Sequence, residues 1–158
     1  MFDTVLIAGL GLMGGSMAKT IKARTLSRVL GWNRTRATAE QALADGSIDA
    51  IATEALYKEA DLVIIGLYPQ ATVDWLLENM PKMKKGCVIV DMVGVKQFMV
   101  DHLEQAALDA GVHYVGGHPM AGREFSGLDY SLPTLFDGAS MIFVPTKSST
   151  ERVLEQLE

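Results

Sequence analysis

Residues Val5–Ser16 read VLIAGLGLMGGS. A short apolar run, Val5 to Ala8, stops at Gly9. Gly11 and Gly14 complete a G-x-G-x-x-G spacing, with Gly15 and Ser16 behind it. Residues 17–21 continue at helical spacing. The pattern is a strand, a tight glycine turn and a helix N-terminus. In that arrangement Gly9 makes the turn, Gly11 lets the backbone approach a pyrophosphate, and Gly14 lets the helix pack closely on the strand. The free N–H groups and positive dipole end of the helix suit a phosphate. A glycine-rich turn that binds nothing has the same spacing. This one lies between a buried-type strand and a helix at the start of the sequence, which is the context a dinucleotide site needs.

Outward from this stretch, strand and helix patterns alternate. Residues 4–8 are a first strand and 14–25 a first helix. Residues 28–32 are a second strand, and a helix over 35–45 stops before Gly46. A short, weakly marked third strand falls at 48–51, and a helical turn at 56–59. The run DLVIIGL at 61–67 is a buried fourth strand rich in β-branched residues. Pro69 opens a helix to about Asn79, because proline is tolerated in a first turn. GCVIVDM at 86–92 is a fifth strand and 96–110 an amphipathic helix. A sixth strand at 113–115 runs into Gly116-Gly117. A last strand falls at 139–144, and a helix at 151–158. This alternation predicts a single α/β domain over 1–158, a Rossmann-type, doubly wound, mostly parallel sheet. Such sheets bind ligands outside the carboxyl ends of their strands, near the point where strand order reverses.

With 158 residues, about half of them hydrophobic, the chain has material for one sizeable core. A net charge of −5 without any basic block gives no general attraction to nucleic acid or an anionic membrane. No apolar run is long enough to span a bilayer, and no signal-peptide pattern precedes the first strand, so a cytoplasmic protein acting on a small molecule is expected. The single cysteine, Cys87, has no partner for an internal disulfide and reads as a buried structural thiol. The three histidines lack ligand spacing, so no metal site is expected.

Candidate cofactor contacts follow from the strand ends. They are Gly9, Leu10, Gly11, Leu12, Met13 and Gly14 in the turn, and Asn33, Arg34 and Thr35 after strand two. Tyr68 and Pro69 follow strand four, and Asp91 ends strand five. An NAD site usually places an acid after strand two, on the ribose hydroxyls. Asn33 holds that place here, followed by Arg34. An acid would repel a 2′-phosphate, whereas arginine grips one with a charge-assisted fork. The cofactor expected is therefore NADP or NAD, with a leaning to NADP. At the end of strand six, His118 is a candidate proton acceptor. Oxidising an alcohol with a nicotinamide needs such a base, because hydride leaves carbon as a proton leaves oxygen. His102 reads as a helix-surface residue and His113 as the start of a strand.

Three stretches together resemble the prephenate dehydrogenase family and its arogenate-using relatives: GLGLMGGS at 9–16, DMVGVK at 91–96 and HPMAG at 118–122. The resemblance covers essentially the whole chain, and HPMAG after a glycine-motif domain is its most specific part. It implies oxidative decarboxylation of prephenate with NAD or NADP to 4-hydroxyphenylpyruvate, on the way to tyrosine. Arogenate users make tyrosine directly. It implies that His118 accepts a hydrogen bond from the substrate ring hydroxyl, and that Glu124, two residues after HPMAG, helps shape the site entrance. It further implies an all-helical domain that forms a homodimer, closes the pocket and supplies cations for the substrate carboxylates. On that reading residues 1–158 are the cofactor-binding half, with little or no turnover of prephenate by themselves.

Two positions depart from the family pattern, commonly D-x-G-S-x-K after strand five. Gly94 stands where the serine supporting the histidine is usual, and Val93 where glycine is usual, while Asp91 and Lys96 are retained. Gly94, Lys96, Glu124 and Ser126 are the candidate substrate-site residues, with Ser126 or a water able to replace the missing hydroxyl. Arg123 stands where a small or polar residue is common. Two other readings share part of this evidence. A 6-phosphogluconate- or 3-hydroxyisobutyrate-type dehydrogenase also carries N-terminal glycines and fits Asn33-Arg34-Thr35, although HPMAG and Glu124 argue against it. A dinucleotide-binding module without catalysis is the alternative from another class.

Overall fold

The computed structural model describes residues 1–158. Its strands are β1 (Thr4–Ala8), β2 (Arg28–Trp32), β3 (Ala50–Ile51), β4 (Leu62–Ile65), β5 (Val88–Asp91), β6 (His113–Pro119) and β7 (Met141–Val144). The helices are α1 (Leu12–Arg24), α2 (Arg36–Ala44), α3 (Glu54–Tyr57), α4 (Pro69–Asn79), α5 (Lys96–Ala110) and α6 (Glu151–Leu157). The strands form one seven-stranded sheet in the order β3-β2-β1-β4-β5-β6-β7. Every pair is parallel except β6–β7, which is antiparallel. The chain winds outward from β1 to β3 and then crosses back to lay β4 beside β1. The carboxyl ends of β1 and β4 therefore bound the crevice in which such sheets bind ligands.

Strands buried on both faces read as continuous apolar runs, and β1, β4 and β5 do so. Leu6 and Ile65 pack with Trp75, Met99 and Leu103 on the α4–α5 side. Val5 and Ile7 pack with Ala18, Ala39 and Ala42 on the α1–α2 side. Truncating a fully buried residue such as Leu6 or Ile65 to alanine would cost about 2–5 kcal/mol. Cys87 belongs to the first of these cores, and burial pushes its thiol up to about 12. Two carboxylates fasten strand starts from outside the ladders. Asp61 accepts the Thr4 N–H at 2.8 Å and pairs with Lys84. Asp49 accepts the Val29 N–H at 2.7 Å and pairs with Lys22 at 2.6 Å.

Helix α1 begins at Leu12 rather than at residue 14, because the Gly15 N–H already reaches the Gly11 carbonyl at 2.8 Å. The sixth strand continues well past Val115. Residues Gly116–Pro119 pair with β7, so His118 lies on a strand opposite Ile142. The two glycines belong in this strand because neighbours occupy the space of their absent side chains. A Cβ on Gly116 would lie 2.9 Å from Lys96 Cδ, and one on Gly117 would lie 2.8 Å from Val90 Cγ1. Between β6 and β7 the chain runs back along α1. The Leu132 N–H donates to Ser16 Oγ at 2.9 Å, and Thr20 Oγ1 donates to the Pro133 carbonyl at 3.0 Å. No helix of the chain is long and apolar enough to cross a membrane.

Candidate active site

The glycine turn is built by close approach. Gly9 has φ +92°, and a Cβ there would meet the Gly66 carbonyl oxygen at 2.7 Å. A Cβ on Gly14 would overlap the Gly9 carbonyl oxygen outright. Gly66 in turn has Gly14 N and Cα 3.1 Å from its Cβ position. Ladder-type bonds fix these positions, Gly9 N–H to the Trp32 carbonyl and Gly66 N–H to the Ala8 carbonyl, each 2.8 Å. Gly11 differs, since nothing lies within 4 Å of its Cβ position. It is the N-cap of α1, and no side chain caps that helix. The first-turn N–H groups of a helix have no partner within it, so this end offers donors and a positive dipole to an anion.

A cleft of about 490 Å³ opens here, a size typical of ligand sites. Its wall takes Gly9, Gly11, Leu12 and Met13 from the turn, and Asn33 and Arg34 from the end of β2. Tyr68 and Met92 come from the ends of β4 and β5, and Ser126 and Gly127 from the segment after β6. The expected strand ends therefore do converge. Arg34 makes no ion pair, whereas Arg36 is held by Glu40 at 3.1 Å on the surface of α2. Asn33 accepts the Leu10 N–H at 2.9 Å and donates to the Thr35 carbonyl at 3.1 Å. Tyr68 is 85% exposed on the wall.

Several expected contacts are placed elsewhere. The Leu10 side chain is fully buried in the α1–α2 core, and its N–H is used by Asn33. Thr35 is the N-cap of α2 and Pro69 the first residue of α4, and neither lines the cleft. Asp91 was expected at the cofactor but is fully buried and turned into the protein. Its carboxylate accepts the Tyr114 hydroxyl at 2.6 Å and the Val93 N–H at 2.8 Å, and it pairs with Lys96. Lys96, expected at the substrate, has a side chain only 16% exposed and is engaged in that pair. Burial lowers its ammonium pKa more than Asp91 raises it. Burial, and then the Asp91 charge, push the Tyr114 phenol far up. Ser126, expected beside the histidine, lines this cleft because the segment carrying it turns back toward α1. Glu124 is exposed and makes no ion pair.

His118 is half-buried at the end of β6, and no side-chain hydrogen bond engages its ring. It does not line the cleft directly. It meets the turn 92–95, whose first residue, Met92, does. A Cβ on Gly94 would lie 3.7 Å from His118 Cε1, with nothing else within 4 Å. The structure thus brings Gly94 and His118 together as expected, beside the cleft wall. Gly66, Leu67, Ala71 and Gly127 also form that wall and were not singled out. Gly66 had a signal, since it ends the apolar run 62–65 just as Gly9 ends 5–8.

A family profile for the prephenate dehydrogenase nucleotide-binding domain matches residues 17–158. The chain belongs to the prephenate dehydrogenase family. It is 36% identical to prephenate dehydrogenase of Bacillus subtilis (strain 168) across its whole length, which covers 43% of that protein. It is 31% identical to cyclohexadienyl dehydrogenase of Zymomonas mobilis over 91% of this chain and 50% of that protein. Among solved structures, prephenate dehydrogenase from A. aeolicus in complex with hydroxyphenyl propionate and NAD+ superposes with a TM-score of 0.89. It is 28% identical over 99% of this chain and 55% of that one. The chain spans about half the length of the curated relatives it matches.

Proposed function

We propose that this chain is the cofactor-binding half of an enzyme that oxidatively decarboxylates prephenate in tyrosine biosynthesis. The observation that carries the reading is the placement of His118, with its ring free of hydrogen bonds, against the turn that continues the cleft wall. The chain's own geometry fits a dinucleotide. The open Cβ position of Gly11 and the uncapped start of α1 suit a pyrophosphate. A bound nicotinamide supplies the hydride acceptor. His118 would then hold the substrate's ring hydroxyl and accept its proton as the carbinol carbon gives up hydride; loss of the ring carboxylate as carbon dioxide leaves its electron pair in the aromatising ring, and the proton returns from His118 to the phenolate oxygen. Neutral imidazole suits that task at physiological pH. Glu124 and Ser126 lie on the segment that leads from His118 to the cofactor cleft.

The cofactor reading leans to NADP. Arg34 lines the cleft without a carboxylate partner, and no acid stands at the end of β2. A guanidinium there matches a 2′-phosphate. NAD+ is the cofactor in the A. aeolicus complex, so use of both is the second reading. Arogenate in place of prephenate is the second reading of the substrate. A cytoplasmic location and a homodimer formed through a further helical domain fit the same proposal. The test is prephenate-dependent formation of reduced nicotinamide by the polypeptide that carries these residues, compared with its His118→Asn variant. The variant should lose about 100- to 10,000-fold in kcat while keeping cofactor affinity. Full turnover by the variant would remove His118 from the reaction.

A further inference from the structure

We propose that Asp91 is a positioning residue for His118, acting through the turn 92–95, rather than a cofactor contact. The proposal rests on the reading of His118 as the proton acceptor.

Asp91 ends β5, and its fully buried carboxylate joins four parts of the chain. Oδ1 accepts the Val93 N–H at 2.8 Å, which closes an Asx-type turn and fixes the path out of β5. The same oxygen pairs with Lys96, the first residue of α5. Oδ2 accepts the hydroxyl of Tyr114, a fully buried residue of β6, at 2.6 Å. The short segment from Met92 to Val95 is therefore tied at both ends to one carboxylate. That segment supplies Met92 to the cleft wall and Gly94 to the imidazole.

The partners also lie in one row. Residues 114, 116 and 118 share a face of β6, because side chains alternate along a strand. Tyr114 binds Asp91, Gly116 leaves room for the Lys96 stem, and His118 meets Gly94. A buried carboxylate is stable only when its oxygens are occupied. Removing one donor therefore leaves a group that must reorganise, and the turn is its nearest movable neighbour.

The test uses Tyr114→Phe, which keeps the ring and removes only the hydroxyl, read by the His118 Cε1–H resonance in NMR spectra of this chain. Tyr114 and His118 are roughly 13 Å apart along the strand, so loss of the hydroxyl has little direct effect on that resonance. Lys96→Met, which keeps a long apolar stem over Gly116, is the second variant. The expected result is a displaced His118 resonance in both variants, with the amide signals of β1 and α1 in place. An unmoved His118 resonance in both folded variants would overturn the proposal and leave Asp91 as a core hydrogen-bond acceptor alone. Should Tyr114→Phe fail to fold, Lys96→Met decides by the same criterion. The resonance needs no turnover, so this proposal and the reading of His118 as a base fail separately.

Discussion

Asn33 Oδ1 accepts the Leu10 N–H at 2.9 Å, fastening the end of β2 to the middle of the glycine turn. The residue that stands in the place of the usual acid therefore has a structural task besides any contact with a ribose. Asn33→Ala should lose about 1 kcal/mol of stability and loosen the turn. Asn33→Asp keeps an acceptor for Leu10 but adds a negative charge beside Arg34. It gives up the donor to the Thr35 carbonyl, so it should also lose about 1 kcal/mol of stability, and it should lower the ratio of NADP to NAD affinity. An unchanged ratio in Asn33→Asp would show that position 33 has no part in cofactor choice.

The glycines of the motif should separate into two kinds. A Cβ on Gly14 has no space against the Gly9 carbonyl, a backbone atom that cannot swing aside. Gly14→Ala should cost about 3 kcal/mol or more in denaturant unfolding. A Cβ on Gly11 meets nothing. Gly11→Ala should unfold like the parent and yet bind dinucleotide more weakly, because the methyl group stands where the pyrophosphate must approach. Equal stability losses at the two positions would contradict this division.

How much of this was legible in the sequence varied with how local the cause was. The bounds of β1, β2, α4 and α5 could be read directly, because each has its own apolar pattern and its own punctuation, by Gly or Pro at β1, α4 and α5 and by Ser27 and Asn33 at β2. The extension of β6 could not. Gly116-Gly117 reads as a terminator, and only the packing of Lys96 and Val90 against those glycines, with β7 alongside, makes them strand residues. Asp91 looked like a cofactor contact because it ends a strand. Its burial depends on Tyr114, which is distant in sequence. The glycine turn, Asn33 and Arg34 were legible on the cleft, since each follows from where a strand must end, whereas the meeting of Gly94 with His118 came from the family resemblance and not from the strand pattern. That Ser126 lines the cleft was not legible, because nothing local shows that its segment turns back along α1.

Acid should weaken the fold through two carboxylates. Burial alone would raise the Asp61 carboxyl, but Lys84 and the N–H groups of Thr4 and Asp3 outweigh it and hold it below its ordinary value. At Asp49 burial is likewise outweighed, by Lys22, the Val29 N–H and Arg28. Both groups are more acidic folded than unfolded. Their stabilisation is therefore complete above the unfolded pKa of about 3.9 and is lost as pH falls through the lower folded values. Thermal melts of Asp61→Asn should show lower stability than the parent at about pH 7 and a smaller further loss between about pH 5 and pH 3. Parallel losses in the two proteins over that interval would count against Asp61 as an acid-sensitive fastening.

The most direct measurement is a calorimetric titration of this chain with NADP and then NAD, repeated on Arg34→Ala. Saturable binding of dinucleotide is expected, with NADP the tighter ligand. Arg34→Ala should weaken NADP by about 10- to 100-fold, as expected for loss of a charge-assisted phosphate contact, and leave NAD nearly unchanged. Equal affinities that ignore the substitution would remove the 2′-phosphate role of Arg34. No saturable binding of either dinucleotide would contradict the assignment of this cleft to the cofactor.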